Sequence, residues 1–95
     1  MQDHIHIFID DNEGYLNWVG KNETGFVVNC GSVPKPEYLI LHHGTCQTIR
    51  HATRGEGNWT NTGFIKVCSL DRAKLAKWAN THVGGELQSC QVCKP

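Results

Sequence analysis

The chain has 95 residues, of which 39% are hydrophobic and 19% charged, the composition of one small globular domain rather than of a disordered segment or a membrane protein. Its longest apolar runs, residues 7–9 and 38–41, fall far short of the roughly 20 residues that span a bilayer. The formal net charge is zero but unevenly spread: residues 1–23 hold five acids and one base, residues 24–95 eight bases and four acids. That asymmetry permits a nucleic-acid face without demanding one.

The opening residues have acid on both sides of their apolar stretch and no basic segment before it, so no secretory signal is expected and a cytoplasmic location follows. Residues 4–9 alternate, with Ile5, Ile7 and Ile9 on one side and His4, His6 and Phe8 on the other, which predicts a short edge strand. Asp10 or Asp11 then offers an N-cap to a helix carrying Tyr15, Leu16, Trp18 and Val19 at helical spacing, with Gly20 near its end.

Residues 24–29 read as a second strand and residues 38–42 as a third. Between them Pro34 and Pro36 enforce a loop, so the two strands form a hairpin. Residues 52–63, rich in Gly, Asn and Thr, are expected at the surface as a loop. Residues 64–68 make a fourth strand. Ser69 caps a helix running to about residue 82, with Leu75, Ala76, Trp78 and Ala79 as its buried face and Gly84-Gly85 as its stop. These elements predict an α+β domain, an antiparallel sheet of three to four strands with two helices. It is a single domain over residues 1–95, with residues 1–23 as an N-terminal strand and helix extension and residues 24–95 as the core.

The five cysteines, Cys30, Cys46, Cys68, Cys90 and Cys93, are an odd number, and in a reducing compartment Cys/His clusters point to metal or redox sites rather than to a disulfide framework. Cys90-Gln91-Val92-Cys93 places two thiolates at a spacing that curls around one tetrahedral ion. A redox dithiol of this spacing sits at the start of a helix, and only Lys94 and Pro95 follow here, which favours metal. The second ligand pair lies in His42-His43-Gly44-Thr45-Cys46, where either histidine has a workable spacing to Cys46. Strand alternation sends the two imidazoles to opposite faces, so only one of them points at Cys46. Cys68 in place of the histidine would give an all-cysteine site. Otherwise Cys30 and Cys68 are small buried core residues. The cofactor implied is one Zn2+.

From Phe26 onward the chain resembles the Ada-type metal-binding domain, the N-terminal module of the bacterial methylphosphotriester repair protein. It is similar also to the related small domain that accompanies competence-type helix-hairpin-helix proteins and nucleases. The residues that carry the likeness are Phe26-Val27-Val28-Asn29 with Ser32, His42 and Cys46 four apart, and the strand over 64–68. The helix around 73–79, Gly84-Gly85 and the ending Cys90-Gln91-Val92-Cys93-Lys94-Pro95 continue it. The resemblance selects His42 over His43 and implies the ligand set His42, Cys46, Cys90 and Cys93. It departs from the family where His42 stands in place of the methyl-accepting cysteine, so self-methylation is not carried over. The stretch over 49–63 is longer than the family pattern, and residues 1–23 lie outside it.

Two functional readings follow. In the first the domain binds DNA or another, single-stranded nucleic acid, with Arg50, His51, Arg54, Lys66 and Arg72 on phosphates and Trp59 stacked on an unpaired base. In the second, zinc is the scaffold of a protein-interaction or regulatory domain. Catalysis is disfavoured: there is no H-E-x-x-H, and Gly44 rather than a glutamate lies two residues after His42.

Overall fold

In the computed structural model, which describes residues 5–46, 49, 59–60 and 63–95, the chain forms an α+β domain. In order these are β1 (His6–Phe8), α1 (Asn12–Lys21), β2 (Phe26–Gly31), β3 (Ile40–His43), β4 (Phe64–Ser69), α2 (Arg72–Trp78) and β5 (Gln88–Ser89). All five strands lie in one sheet, in the order β1-β4-β2-β3-β5. The sheet is therefore mixed and five-stranded rather than an antiparallel sheet of three to four. β5, which the sequence did not announce, runs parallel to β3, pairing Ile40 with Gln88 and Leu41 with Ser89. β1 lies at the edge, as its alternation predicts, antiparallel to β4.

Register decides which side chains share a face. On β2, Val28 pairs with Leu41 of β3 and with Val67 of β4, and the next rung on that face carries Cys30 and Ile65. These residues, with Leu39, bury Leu75, Trp78 and Ala79 from α2 and the turn after it. The opposite face carries Val27, paired with His42 and with Cys68, and it collects Tyr15 and Val19 from α1 together with Cys46, Ile49, Trp59 and Cys90. The sheet thus separates two cores, one under α2 and one under α1.

Each helix begins where an aspartate can accept an orphan backbone N–H. Asp11 Oδ1 accepts from Gly14 N at 2.9 Å, and Asp71 Oδ1 accepts from Ala73 N at 2.9 Å. Asp71, not Ser69, caps α2. Ser69 is instead the last residue of β4, and its hydroxyl accepts from the Asp71 N–H at 3.0 Å. Ala76, expected in the core, faces solvent. After Trp78 the helix widens into a π-type turn over Ala79–Val83, closed by Gly84 N donating to the Ala79 carbonyl at 2.9 Å. Gly84 ends it at φ 82, a left-handed conformation that glycine adopts without steric cost.

Helix α1 and its cap are tied into the rest of the domain. Tyr15 is wholly buried and its hydroxyl donates to the Ile49 carbonyl at 2.6 Å. Asn12 Oδ1 accepts from the N–H groups of Trp59 and Thr60 at 3.0 and 2.7 Å, and Asp11 N donates to Thr60 Oγ1 at 2.6 Å. The start of α1 thereby holds the chain on both sides of residues 50–58. Replacing Tyr15 by Phe removes the donor and leaves a buried carbonyl short of a partner. Urea denaturation of Tyr15→Phe should show a loss of about 1–3 kcal/mol.

Candidate metal centre

Three segments converge at one end of the α1 face. β3 delivers His42. The chain then turns through His43-Gly44-Thr45, with Cys46 N donating to the His43 carbonyl at 3.0 Å and Gly44 N to the Gly25 carbonyl at 2.9 Å. A Cβ on Gly44 would lie 3.1–3.3 Å from the carbonyl oxygens of Asn22, Gly25 and Glu23, so the turn sits where only glycine fits without a shift. β5 delivers the other pair. Its ladder is extended by Cys90 N donating to the Leu41 carbonyl at 2.9 Å, and Lys94 N donating to the Cys90 carbonyl at 2.9 Å closes the turn that brings Cys93 round. Lys94 takes the positive φ of 47 that this tight turn needs.

The result is a cluster of His42, Cys46, Cys90 and Cys93 whose ligand atoms all lie within 4.8 Å of one another. Cys46 Sγ and Cys90 Sγ are 4.0 Å apart. A tetrahedral zinc with bonds of about 2.3 Å to sulfur separates two sulfurs by about 3.8 Å, whereas a disulfide needs about 2.05 Å. The spacing is compatible with two ligands around one ion and is too long for a disulfide. His42, Cys46 and Cys90 are buried and Cys93 is half-buried. His43 points to the other face, where its ring lies 5.5 Å from that of Phe26. This is the alternation the sequence predicts, and it leaves His42 as the imidazole of the cluster.

The electrostatics suit a cation. Burial, with the Lys66 ammonium adding to it, pushes the His42 imidazole from its ordinary 6.5 down to about 4, so the ring is neutral near pH 7 and can ligate. Burial would raise the Cys90 thiol. Hydrogen bonds from the backbone N–H groups of Cys93 and Val92 and from the thiols of Cys46 and Cys93 outweigh it and bring the pKa below the ordinary thiol range. Cys93 is pushed up to about 11, first by burial and then by its crowding against Cys46 and Cys90, although the His43 N–H donates to its sulfur at 3.2 Å. Three thiols this close resist ionising together, and a divalent ion removes that resistance.

The alternative cysteines stand apart. Cys30 lies in the core beneath α2, and burial pushes its thiol up to about 11 despite Lys66. Cys68 is on the metal face but outside the ligand cluster, and burial raises its thiol strongly. Both are neutral core residues.

The six residues read as a nucleic-acid face fare differently. Arg50, His51 and Arg54 lie outside the described residues. Trp59 is 8% exposed, its ring 6.2 Å from that of Tyr15, so it packs in the core and offers no platform for a base. Lys66 is 4% exposed, its Nζ donating to Asn29 Oδ1 at 2.9 Å and to the Trp59 carbonyl at 2.6 Å, so it is not a phosphate contact. Arg72 is exposed, at the start of α2. The sequence reading missed the backbone N–H groups of His43 and Val92, which donate to Cys93 Sγ and Cys90 Sγ at 3.2 and 3.3 Å. Backbone donors carry no residue signature. Among the described residues no helix is long and apolar enough to cross a membrane.

No protein-family model, no curated protein and no solved structure matches the chain.

Two outcomes test the site. Elemental analysis of purified protein should find one metal per chain, retained in His43→Ala and lost or much reduced in His42→Ala. Because the His42 pKa is depressed on folding, the stability tied to its neutral ring is present above its ordinary 6.5 and lost as pH falls through about 4. Proton competition for the thiolates acts in the same direction. Thermal unfolding of the loaded protein should therefore move to lower temperature as pH falls below 6.5, and His43→Ala should follow the same curve.

Proposed function

We propose that this chain is a structural-zinc domain, with His42, Cys46, Cys90 and Cys93 holding one Zn2+. The observation that carries the reading is the gathering of three sulfurs and one imidazole within 4.8 Å, drawn from two segments 44 residues apart. Thiolates with one imidazole form a soft, tetrahedral donor set that suits zinc over calcium or magnesium. Four protein ligands fill its coordination, so no position is kept for water or substrate and the role is structural. Binding there would restrain the chain from Cys46 to Cys90 in one step, and the binding free energy would become folding free energy. The ligand order also agrees with the Ada-type resemblance. Placement in that group, without the methyl acceptor, belongs to this proposal.

A second reading, binding to nucleic acid, keeps one supporting observation. Ile49 and Trp59, which flank the sequence stretch carrying Arg50, His51 and Arg54, are both held by hydrogen bonds to α1. Trp59 and Lys66 take no part in this reading, which now rests on Arg50, His51, Arg54 and Arg72.

Chelation tests the first reading. Stripping the metal under reducing conditions should lower the melting temperature by more than about 10 °C, and added zinc should restore it. An unchanged melting curve after verified metal removal would reject a structural role. Salt titration of oligonucleotide binding tests the second. Three arginine contacts to a single strand predict a slope of log K against log salt of about −2. That slope should shrink in Arg50→Gln/Arg54→Gln. If no binding occurs at low salt, the protein-partner alternative remains.

A further inference from the structure

Among the described residues Lys66 is the only buried side chain that carries a charge at neutral pH. Its two hydrogen-bond acceptors, Asn29 Oδ1 and the Trp59 carbonyl, are neutral, and the Tyr15 ring lies 5.8 Å from its Nζ. No carboxylate is among the groups that bear on it. An ammonium removed from water with only dipoles to face is costly, and a neutral donor would serve those two acceptors as well. What else it faces is set by the sheet. Lys66, Asn29 and Ile40 form one rung across β4, β2 and β3, and the neighbouring rung on the same face is Cys68, Val27 and His42.

We propose that Lys66 is the buried countercharge of the metal centre, its ammonium offsetting the single net negative charge left by three thiolates, one neutral imidazole and a divalent ion. The proposal rests on the zinc reading above. Two rungs lie about 7 Å apart along a strand, and β4 and β3 are about 10 Å apart across the sheet. A lysine side chain directed over that face brings its ammonium to within about 10 Å of the cluster, beneath α1 and out of water. In the chain without metal, burial lowers the Lys66 pKa to about 8. A net negative centre acts the other way and keeps the ammonium charged. Each group thus lessens the burial cost of the other.

The test is zinc affinity, measured by competition with a chromophoric chelator. Wild-type protein comes first: if it takes up no zinc, the metal reading fails and this inference with it. If it does, Lys66→Met should bind zinc about tenfold more weakly, and Lys66→Arg, which keeps the charge, within about threefold of wild type. The readout that packing alone would not move is dependence on the charge of the centre. In a His42→Cys background, where one more negative charge is present, the Lys66→Met penalty should grow to about a hundredfold. Wild-type affinity in Lys66→Met, or the same penalty in both backgrounds, overturns the inference and leaves the zinc reading standing. Should Lys66→Met fail to fold, Lys66→Gln takes its place. Failure of both neutral variants where Lys66→Arg loads zinc supports the proposal, and equal failure of all three overturns it.

Discussion

The fold depends on one crowded corner, where three thiols and an imidazole are brought to ion-binding distance on one face of a sheet. Left as thiols they are small, weakly polar core residues. As thiolates without a cation they repel one another, which is why Cys93 is pushed up while Cys90, fed by two backbone N–H groups, is drawn down. The backbone around them is built for the charged form. Donors from His43 and Val92 point at sulfur, Gly44 removes the Cβ that would press on three carbonyls, and Lys94 accepts a left-handed turn. Each is a local cost or constraint that a plain hydrophobic corner would not need.

That corner explains a sheet edge that would otherwise be weak. β5 is two residues long and parallel to its neighbour, and so short a parallel strand contributes little by itself. It holds because the residue after it, Cys90, continues the ladder to the Leu41 carbonyl and at the same time enters the ligand cluster. The tail is fixed by hydrogen bonds to β3, and its sulfurs lie beside Cys46 and His42.

Much of this was legible beforehand, for reasons that can be assigned residue by residue. The periodicity of two in β3 and the Gly44 turn gave both the strand and the rule that His42 and His43 face opposite ways. The structure keeps that rule, with His43 against Phe26 and His42 in the cluster. Helix α1 was legible from Tyr15 and Val19, four residues apart and both buried. The failures share a cause, which is that a single sequence does not say which face of a strand is covered. Lys66 was taken for surface because lysine normally is, yet its place beside Asn29 in a central strand puts it under α1. Trp59 was assigned to a polar loop, and its neighbours in sequence gave no sign that Asn12 would hold its backbone and Tyr15 its ring. For α2, Ser69 and Asp71 are both good caps. The ladder of β4 claimed the first, leaving the second to start the helix two residues later than expected.

Helix α1, which lies outside the family resemblance, helps to make the His42, Cys46, Cys90 and Cys93 corner a core rather than a surface patch. A helix of ten residues is about 15 Å long, and five strands at about 4.8 Å spacing make a sheet roughly 19 Å across between its outer strands. One such helix cannot cover a whole face. α1 lies toward β1, with Trp18 against His6 and Tyr15 against Phe8, which leaves the β3–β5 side of that face to be closed by something else. The ligand cluster occupies that side, and Tyr15 and Trp59 fill the space between. The His42, Cys46, Cys90 and Cys93 cluster therefore stands where a second helix would otherwise be required. A domain of 95 residues can then complete a two-faced sheet with one helix on each side and the cysteine-bearing turn and tail as the remaining wall.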